Sequence, residues 1–334
     1  MPVLYLTEQG ATLRKDGGIF LITKEDRVLD KVPAAKVEQV VIFGNVNITT
    51  PVIHFLLSEG IDCVFCSSTG RHHGRLISTE SKFGLLRQSQ FQAVSNAETK
   101  VSIARQMVKG KLLNLRTMLM RYLREGAITQ LAGAVDSLRQ AVLRLGAAND
   151  IAIIQGIEGY ASALYYSAFR NLLKQDLGFK VRIRRPPRDP VNSLLSFGYT
   201  LLVYDIQAAI RTVGLNLFLG FLHTIAYSKP SLALDIMEEF RPIIIDSIVL
   251  RIVNTRALTQ EDFEPSAEQE GLVRMKQQAI KLFLQQYEER VQTMVIHPVL
   301  NIRATYRRCF ELQARQIARI VTGQQQIYQP FLVK

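Results

Sequence analysis

The pattern of apolar residues changes once along the chain, close to residue 80, and this change predicts two kinds of structure. Before it, short runs rich in Val, Ile and Phe, such as VEQVVIFG and DCVFCSS, are separated by turn-forming residues. Short apolar runs at close spacing with turn signals predict a compact β module. Within this module, Thr50-Pro51 begins a segment with helical spacing that ends at Gly60, so we expect one helix there.

From Phe83 onward the spacing of apolar residues is helical. Almost no helix-breaking residue interrupts Gln88–Gly126, where the positions on one face recur every three or four residues. These positions are Val101, Ala104, Met107, Val108, Lys111, Leu112 and Leu115. Further helices are predicted at 127–145, 151–176, 191–213, 231–252, 271–290 and 298–322.

We therefore expect an α+β protein, with a small N-terminal β-sheet domain followed by a larger all-α helical domain. The predicted boundaries are 1–80 for the β-rich domain, 81–90 for a hinge and 91–334 for the helical domain. Strand edges in the first domain offer a surface for dimerisation. The last residues, QQQIYQPFLVK, are expected to form a loosely held tail.

Positive charge is concentrated in three runs. Lys and Arg outnumber Asp and Glu by 41 to 29, and the excess lies in Arg71–Arg124, Lys180–Arg188 and Arg303–Arg319. A single basic run is commonly a solvated helix face, but three together favour a polyanion partner such as nucleic acid. The candidate DNA contacts are Arg71, Arg75, Arg87, Lys109, Lys111, Arg182, Arg184, Arg185 and Arg188.

Other features limit the possible functions. Cys63 and Cys66 form a lone C-x-x-C without a second ligand pair, so two buried thiols are expected rather than a metal or redox site. No secretory signal is visible, and no apolar run approaches the ~20 residues of a membrane-spanning helix. We expect a soluble protein of the cytoplasm, with no membrane partner.

Acidic residues of the helical region form the candidate catalytic set. Glu158 lies among small apolar residues, His223 ends the run LNLFLGFLH, and Asp235, Glu238 and Glu239 share roughly one side of a predicted helix. Two carboxylates about 4 Å apart repel by ~4 kcal/mol at an effective dielectric of 20, so a cation must neutralise such a cluster. The cation can be a nearby Arg or Lys, as on an ordinary helix surface, or a divalent metal. Spacing alone does not decide between them.

The residues around these acids resemble the CRISPR-associated Cas-one family, the CRISPR adaptation integrase and endonuclease. The resemblance covers nearly the whole chain and is carried by GIEG around Glu158, DPVNSLLSFGYTLL from Asp189, GFLH at Gly220–His223 and KPSLALDIMEEFRP from Lys229. It implies that Glu158, His223, Asp235 and Glu238 are catalytic. It also implies that Glu158, His223 and Glu238 bind Mg²⁺ or Mn²⁺, with Asp235 as an alternative or supporting ligand.

The resemblance further implies a divalent-metal-dependent DNA endonuclease and integrase. Such a protein inserts short foreign DNA fragments into the CRISPR array by transesterification, in which a 3′-hydroxyl attacks a repeat phosphodiester. The implied partners are double-stranded DNA (the fragment and the CRISPR repeat), a second copy of the chain in a homodimer, and a small Cas-two protein dimer. Two alternatives stay open: a catalytically silent DNA-binding scaffold, and a structure-selective repair nuclease that acts on branched DNA.

Overall fold

In the computed structural model, the chain divides into two compact units at the position where the apolar pattern changes. The first comprises residues 1–81 and the second residues 82–334. Within them the structure describes residues 3–25, 27–68, 70, 72–76, 83–124, 131–266 and 269–333. The hinge at 81–90 and dimerisation through the first unit stay predictions, and most of the proposed hinge belongs to a helix that begins at Gly84.

β-Structure dominates the first unit. Its elements are β1 (Val3–Leu6), β2 (Thr12–Asp16), β3 (Ile19–Lys24), β4 (Arg27–Pro33), β5 (Gln39–Phe43), β6 (Asn47–Ile48), α1 (Thr50–Glu59), β7 (Asp62–Cys66) and β8 (His72–Leu76). The described strands form two sheets, in the orders β1-β5-β7-β8 and β4-β3-β2-β6. Strand β5 pairs in parallel with β1 and β7 and is buried along its whole length, as its almost unbroken apolar sequence requires.

The apolar core of this unit contains residues of the predicted helix and one of the two cysteines, Cys63. Helix α1 ends at Gly60, which adopts a left-handed conformation with φ 68°. Leu13, Phe20 and Leu56 pack in the same apolar cluster as Cys63. Cys63 and Cys66 are free and buried, and burial raises the pKa of the Cys63 thiol to about 12. The prediction that both thiols are buried is confirmed.

The second unit is mostly helical. Its α-helices are α2 (Gly84–Ser95), α3 (Ala97–Arg124), α4 (Leu131–Gly146), α5 (Ile151–Arg170), α6 (Pro190–Val213), α7 (Ser231–Arg241), α8 (Ser247–Asn254), α9 (Gln277–Val291) and α10 (Tyr306–Val321). The prediction of a strand-rich N-terminal part followed by a helical part is confirmed. It was incomplete in one respect, because the second unit is not entirely α.

Two short antiparallel ribbons interrupt the helices. Strands β9 (Phe263–Pro265) and β10 (Val273–Met275) form one, and β11 (Met294–Ile296) and β12 (Arg303–Thr305) form the other. The second strand of each ribbon, β10 or β12, occupies the beginning of a helix that we predicted, at 271–290 or 298–322, so those two helix starts were wrong. Three-residue strands are stabilised by pairing with a distant partner, and their own sequence carries too little periodicity to reveal them.

Helix α6 runs through the core of the second unit. Its start is fixed by Asp189, whose carboxylate accepts a hydrogen bond from the Asn192 N–H at 2.8 Å, and by Pro190 in the first turn. Its end is fixed by Gly214 at φ 92°. By length and composition α6 could cross a membrane, contrary to our expectation for this chain, but 78% of its most apolar window is buried inside the protein. Such burial is typical of a core helix.

A π-helical turn, Pro242–Asp246, joins α7 to α8. Proline has no N–H to donate, so the regular helical hydrogen bonding is interrupted where Pro242 occurs. Ile245 of this turn packs against Gly198 of α6. A Cβ added at Gly198 would lie 2.6 Å from Ile245 Cγ2. Close packing therefore fixes the path of the chain directly after α7.

The C-terminal segment is held firmly, contrary to prediction. Tyr328 and Phe331 are each only 1% exposed. The Phe331 N–H donates a hydrogen bond to Glu239 Oε2 at 2.6 Å, and the Asn114 side chain bonds both to the Phe331 carbonyl and to the Val333 N–H. The tail thus packs across α3 and α7.

Candidate active site

Two glutamates from helices far apart in the sequence meet at one buried lysine. Glu158 lies on α5, Glu238 lies on α7, and the ammonium group of Lys111 on α3 forms ion pairs with both carboxylates. The Lys111 Nζ atom lies 2.5 Å from Glu238 Oε2 and donates a hydrogen bond to Glu158 Oε1. The structure therefore brings together the two glutamates that the resemblance implied as ligands.

The environment of Glu238 strongly favours its charged form. Its side chain is 3% exposed, and the Arg241 guanidinium one helical turn later donates a hydrogen bond to its Oε1 at 2.7 Å. Burial alone would raise the pKa of the Glu238 carboxyl, but Arg241, Lys111 and the nearby His223 together lower it well below its ordinary value. The surroundings of Glu238 therefore stabilise its carboxylate form inside the protein.

His223 is oriented by Asp235. The Asp235 carboxylate accepts backbone N–H groups from Phe221, Leu222 and His223 at 2.5, 3.0 and 2.9 Å, and it contacts His223 Nδ1 at 2.7 Å. A carboxylate only accepts, so Nδ1 carries a proton and donates it to Asp235, which leaves Nε2 as the ring nitrogen that could bind a further ligand. At Gly220, in the segment between α6 and α7, a Cβ would lie 2.7 Å from Asp235 Oδ2, which explains why this position is a glycine.

Glu239, which we expected on the same side as Asp235 and Glu238, has a different environment. It is fully buried, and its Oε2 accepts hydrogen bonds from Gln313 at 2.9 Å and from the Phe331 N–H. Burial raises the pKa of the Glu239 carboxyl to about 8. Glu239 therefore anchors the C-terminal segment and is not part of the cluster around Lys111.

Behind the site, a network of buried polar groups holds Arg241 in place. The Arg241 guanidinium lies 4.2 Å from the centre of the Tyr199 ring. The hydroxyls of Tyr199 and Tyr165 both donate to the Asp246 carboxylate, the second at 2.9 Å. Burial raises the pKa of Asp246 to about 6, against the lowering effect of these two hydrogen bonds. The network fixes the cation that pairs with Glu238.

The candidate DNA-contacting residues fall into three groups. Arg87, Lys109, Arg184, Arg185 and Arg188 are exposed. Lys111, Arg182 and Arg75 are engaged inside the protein, and Arg71 lies outside the described residues.

The engaged cations have specific partners. Arg182 donates hydrogen bonds to Asn192 Oδ1 at 2.8 Å and to Ser196 Oγ at 3.1 Å, and burial lowers its pKa. Arg75 pairs with Asp62 at 3.2 Å. Lys111 is enclosed between its two carboxylates, so the structure gives it a role different from the DNA contact we predicted. A signal for this was present in the sequence, because Lys111 occupies a position of the apolar face of its helix.

The donor atoms suit a divalent cation, although they are not yet arranged around one. In the described part of the chain, no three His, Cys, Asp or Glu side chains are grouped closely enough to hold a metal ion. Glu238 Oε2 is nevertheless buried, and the contact that the structure gives it is the ion pair with the Lys111 ammonium at 2.5 Å. Two carboxylates and one imidazole nitrogen are donors that Mg²⁺ or Mn²⁺ accepts. The residues therefore fit such a cation, provided that the ammonium group moves.

Comparisons of the sequence with known proteins agree on one family. The sequence model of the family described as CRISPR associated protein Cas1 matches residues 4–289. A protein of Thermus thermophilus named CRISPR-associated endonuclease Cas1 3 is 37% identical over 334 residues, covering 99% of this chain and 97% of that protein.

Two solved structures have a similar fold. A CAS1 protein from Thermotoga maritima superposes with a TM-score of 0.82 at 25% identity, and the match covers 100% of both chains. A structure described as a Cas6-RT-Cas1–Cas2 complex gives a TM-score of 0.86 at 25% identity, covering 100% of this chain and 36% of the longer one.

Proposed function

The chain belongs to the CRISPR-associated Cas1 family, and from that premise we propose that it is a DNA endonuclease and integrase that inserts short DNA fragments into a CRISPR array. The observation that supports this most is the meeting of Glu158 and Glu238 at one point, with the Asp235-oriented His223 close to Glu238. These are the residues on which the family's catalytic motifs fall. The relative from Thermus thermophilus is itself named an endonuclease.

In this proposal Glu158, His223 and Glu238 hold Mg²⁺ or Mn²⁺, and Asp235 supports the site through His223. When bound, the cation would lower the pKa of an attacking hydroxyl and polarise the phosphoryl oxygen. Both oxygens of Asp235 accept hydrogen bonds from the loop or from His223, whereas Glu238 Oε2 is paired with the ammonium of a flexible lysine, Lys111. This difference favours Glu238 as the direct ligand.

The remaining steps are assigned to the chain's own groups and to the DNA. The 3′-hydroxyl of the fragment attacks the phosphorus of a repeat phosphodiester, a new P–O bond forms, and the bond to the leaving 3′-oxygen breaks. One ester is exchanged for another, so no ATP and no covalent enzyme intermediate are needed. Asp235 holds the His223 ring, while Arg241 holds the Glu238 carboxylate by a hydrogen bond to its Oε1.

We further propose that double-stranded DNA binds along the exposed cations Arg87, Lys109, Arg184, Arg185 and Arg188, in the cytoplasm of a prokaryotic cell. The proposed protein partners are a second copy of this chain and a small Cas2 dimer. The second partner is suggested by the solved complex of a related Cas1 with Cas2, which is 25% identical to this chain.

The test is strand transfer of a short duplex into a supercoiled plasmid that carries a CRISPR repeat, with Mn²⁺ and with Cas2 supplied. Glu158→Ala and His223→Ala should abolish the product while gel-shift binding of DNA survives. Glu98→Gln and His54→Ala, at exposed positions, are the matched controls and should retain activity. Equal strand transfer in the Glu158 and His223 variants would contradict the proposal. Binding without any nicked product would indicate a silent scaffold, and cleavage confined to branched DNA a repair nuclease.

A further inference from the structure

Lys111 places a positive charge between two of the proposed metal ligands. Its ammonium group pairs with Glu158 and Glu238 at the same time. We propose that Lys111 is an exchangeable internal counter-ion: its ammonium holds the two glutamates together in the metal-free protein and leaves the space between them when a divalent cation binds. The inference rests on the proposed function, because it takes these two glutamates as metal ligands.

The charges around the site explain why an exchange is needed. Glu158 and Glu238 together carry two negative charges, and Lys111 and Arg241 supply two positive charges in direct contact with them. A divalent cation added to this set would lie against the ammonium in a poorly solvated space, where like charges repel strongly. The site cannot hold both cations in the same position, so one must leave.

Of the two protein cations, Lys111 is the one that is free to move. Arg241 lies over the Tyr199 ring and is fixed by the network around Asp246. Lys111 has a flexible four-carbon stem, so its ammonium can shift without a change of the backbone. The ammonium can move toward solvent on the side of Glu158, because the Glu158 side chain is 21% exposed whereas Glu238 is enclosed.

The exchange makes Lys111 a determinant of metal affinity, and this can be measured without DNA. The experiment follows Mn²⁺ binding to the full-length chain by the electron spin resonance signal of free Mn²⁺. Lys111→Met removes the competing charge and keeps a side chain of similar length, so we expect Mn²⁺ to bind at least tenfold more tightly. Lys111→Arg keeps the charge and should bind no more tightly than the unaltered protein.

Lys109→Met is the matched control, since Lys109 lies on the same helix and is exposed. It removes the same net charge and should leave the affinity unchanged. Equal or weaker Mn²⁺ binding by Lys111→Met would overturn the exchange, while the proposed metal site would stand. Absence of Mn²⁺ binding in every variant would instead overturn the proposed metal site.

A second measurement needs no variant and therefore does not depend on the folding of Lys111→Met. Reductive methylation of the unaltered protein, followed by peptide mass spectrometry, reports how accessible each lysine amine is. Lys111 should be protected without metal and labelled several times faster with saturating Mn²⁺, while labelling of Lys109 stays constant. Unchanged protection of Lys111 when Mn²⁺ is bound would contradict the displacement of its ammonium.

Discussion

The two helices that supply the glutamates differ in how completely the protein encloses them. On α7, Glu238 is 3% exposed, and Asp235 and Glu239 are fully buried with defined partners. On α5, the Glu158 side chain is 21% exposed, and its neighbours Gly156 and Tyr160 face outward. The enclosed side fixes the positions of its acidic side chains, whereas the open side is accessible to the DNA substrate that we propose.

The glycines of the two sides show the same difference. Behind the enclosed side, a Cβ at Gly110 of α3 would lie 2.6 Å from Pro330 Cβ and 3.1 Å from Glu239 Cγ. On α5, no described atom lies within 4 Å of a Cβ built at Gly156 or Gly159. Within the part of the chain that the structure describes, these two glycines therefore do not serve close helix packing.

The largest expected effect distinguishes the two glutamates. Glu238→Ala leaves Arg241 and Lys111 buried without their shared partner, which should lower the free energy of unfolding by about 3–5 kcal/mol. Glu158→Ala removes a partly exposed partner, so its cost should be clearly smaller. Urea unfolding of the two variants beside the unaltered protein measures both costs. Equal decreases in the free energy of unfolding for the two variants would contradict the distinction between an enclosed and an open side.

The glycines should respond with opposite signs. Gly110→Ala forces a Cβ against Pro330 and should lower the free energy of unfolding by roughly 1–3 kcal/mol. Gly156→Ala adds a Cβ in open space within a helix and should raise it by up to about 1 kcal/mol. Gly133→Ala, on the open face of α4, is the control for helix propensity alone. Thermal unfolding checks all three, and destabilisation by Gly156→Ala would show that α5 is enclosed after all.

Because Asp246 is buried, we expect the free energy of unfolding to depend on pH. Asp246 lies behind Glu238, on the enclosed side. Its pKa is raised from 3.8 to about 6, so the folded protein binds a proton that the unfolded chain has already lost. This group therefore contributes most to stability below pH ~4, and its contribution falls by roughly 1 kcal/mol per pH unit up to pH ~6. Unfolding of the unaltered protein and of Asp246→Asn, compared across that range, isolates the effect. A stability difference that does not change with pH would contradict it.

The smallest expected effect concerns the two lysines of α3. Lys109 is exposed and should contact a DNA phosphate, so Lys109→Ala should reduce the slope of log affinity against log salt by about 1. Lys111 is enclosed, and its replacement by Met should leave that slope unchanged in the absence of divalent metal. Fluorescence anisotropy of a labelled duplex over a salt series measures the slopes. A reduced slope for Lys111→Met would show that Lys111 contacts DNA after all.

The sequence predicted those parts of the fold that local signals specify. Helix α6 was predicted almost to its observed ends, because Asp189, Pro190 and Gly214 are strong start and stop residues. The ribbon β9–β10 was missed because its stability comes from pairing across an intervening loop. The C-terminal tail was misjudged for a related reason: Phe331 is buried by rings from three other segments, which no local pattern reveals.

The candidate site was predicted as a set of residues but not as a set of interactions. Motifs indicated Glu158, His223, Asp235 and Glu238, whereas the partners of each side chain depend on contacts between helices. Helical spacing placed Glu239 near Asp235, but α7 is buried on nearly all sides, so acids about one turn apart meet different neighbours. The pairing of Lys111 with two glutamates required the packing of α3 against α5 and α7.

The most direct test of the account is anomalous diffraction at the manganese edge from crystals of the protein soaked in Mn²⁺. We predict a single strong peak bound by Glu158, Glu238 and Nε2 of His223, with Asp235 on Nδ1 of the same ring and the Lys111 ammonium displaced from between the glutamates. No peak at these residues, or a peak elsewhere with Lys111 still paired to both carboxylates, would contradict the proposal that these side chains converge to hold the catalytic cation.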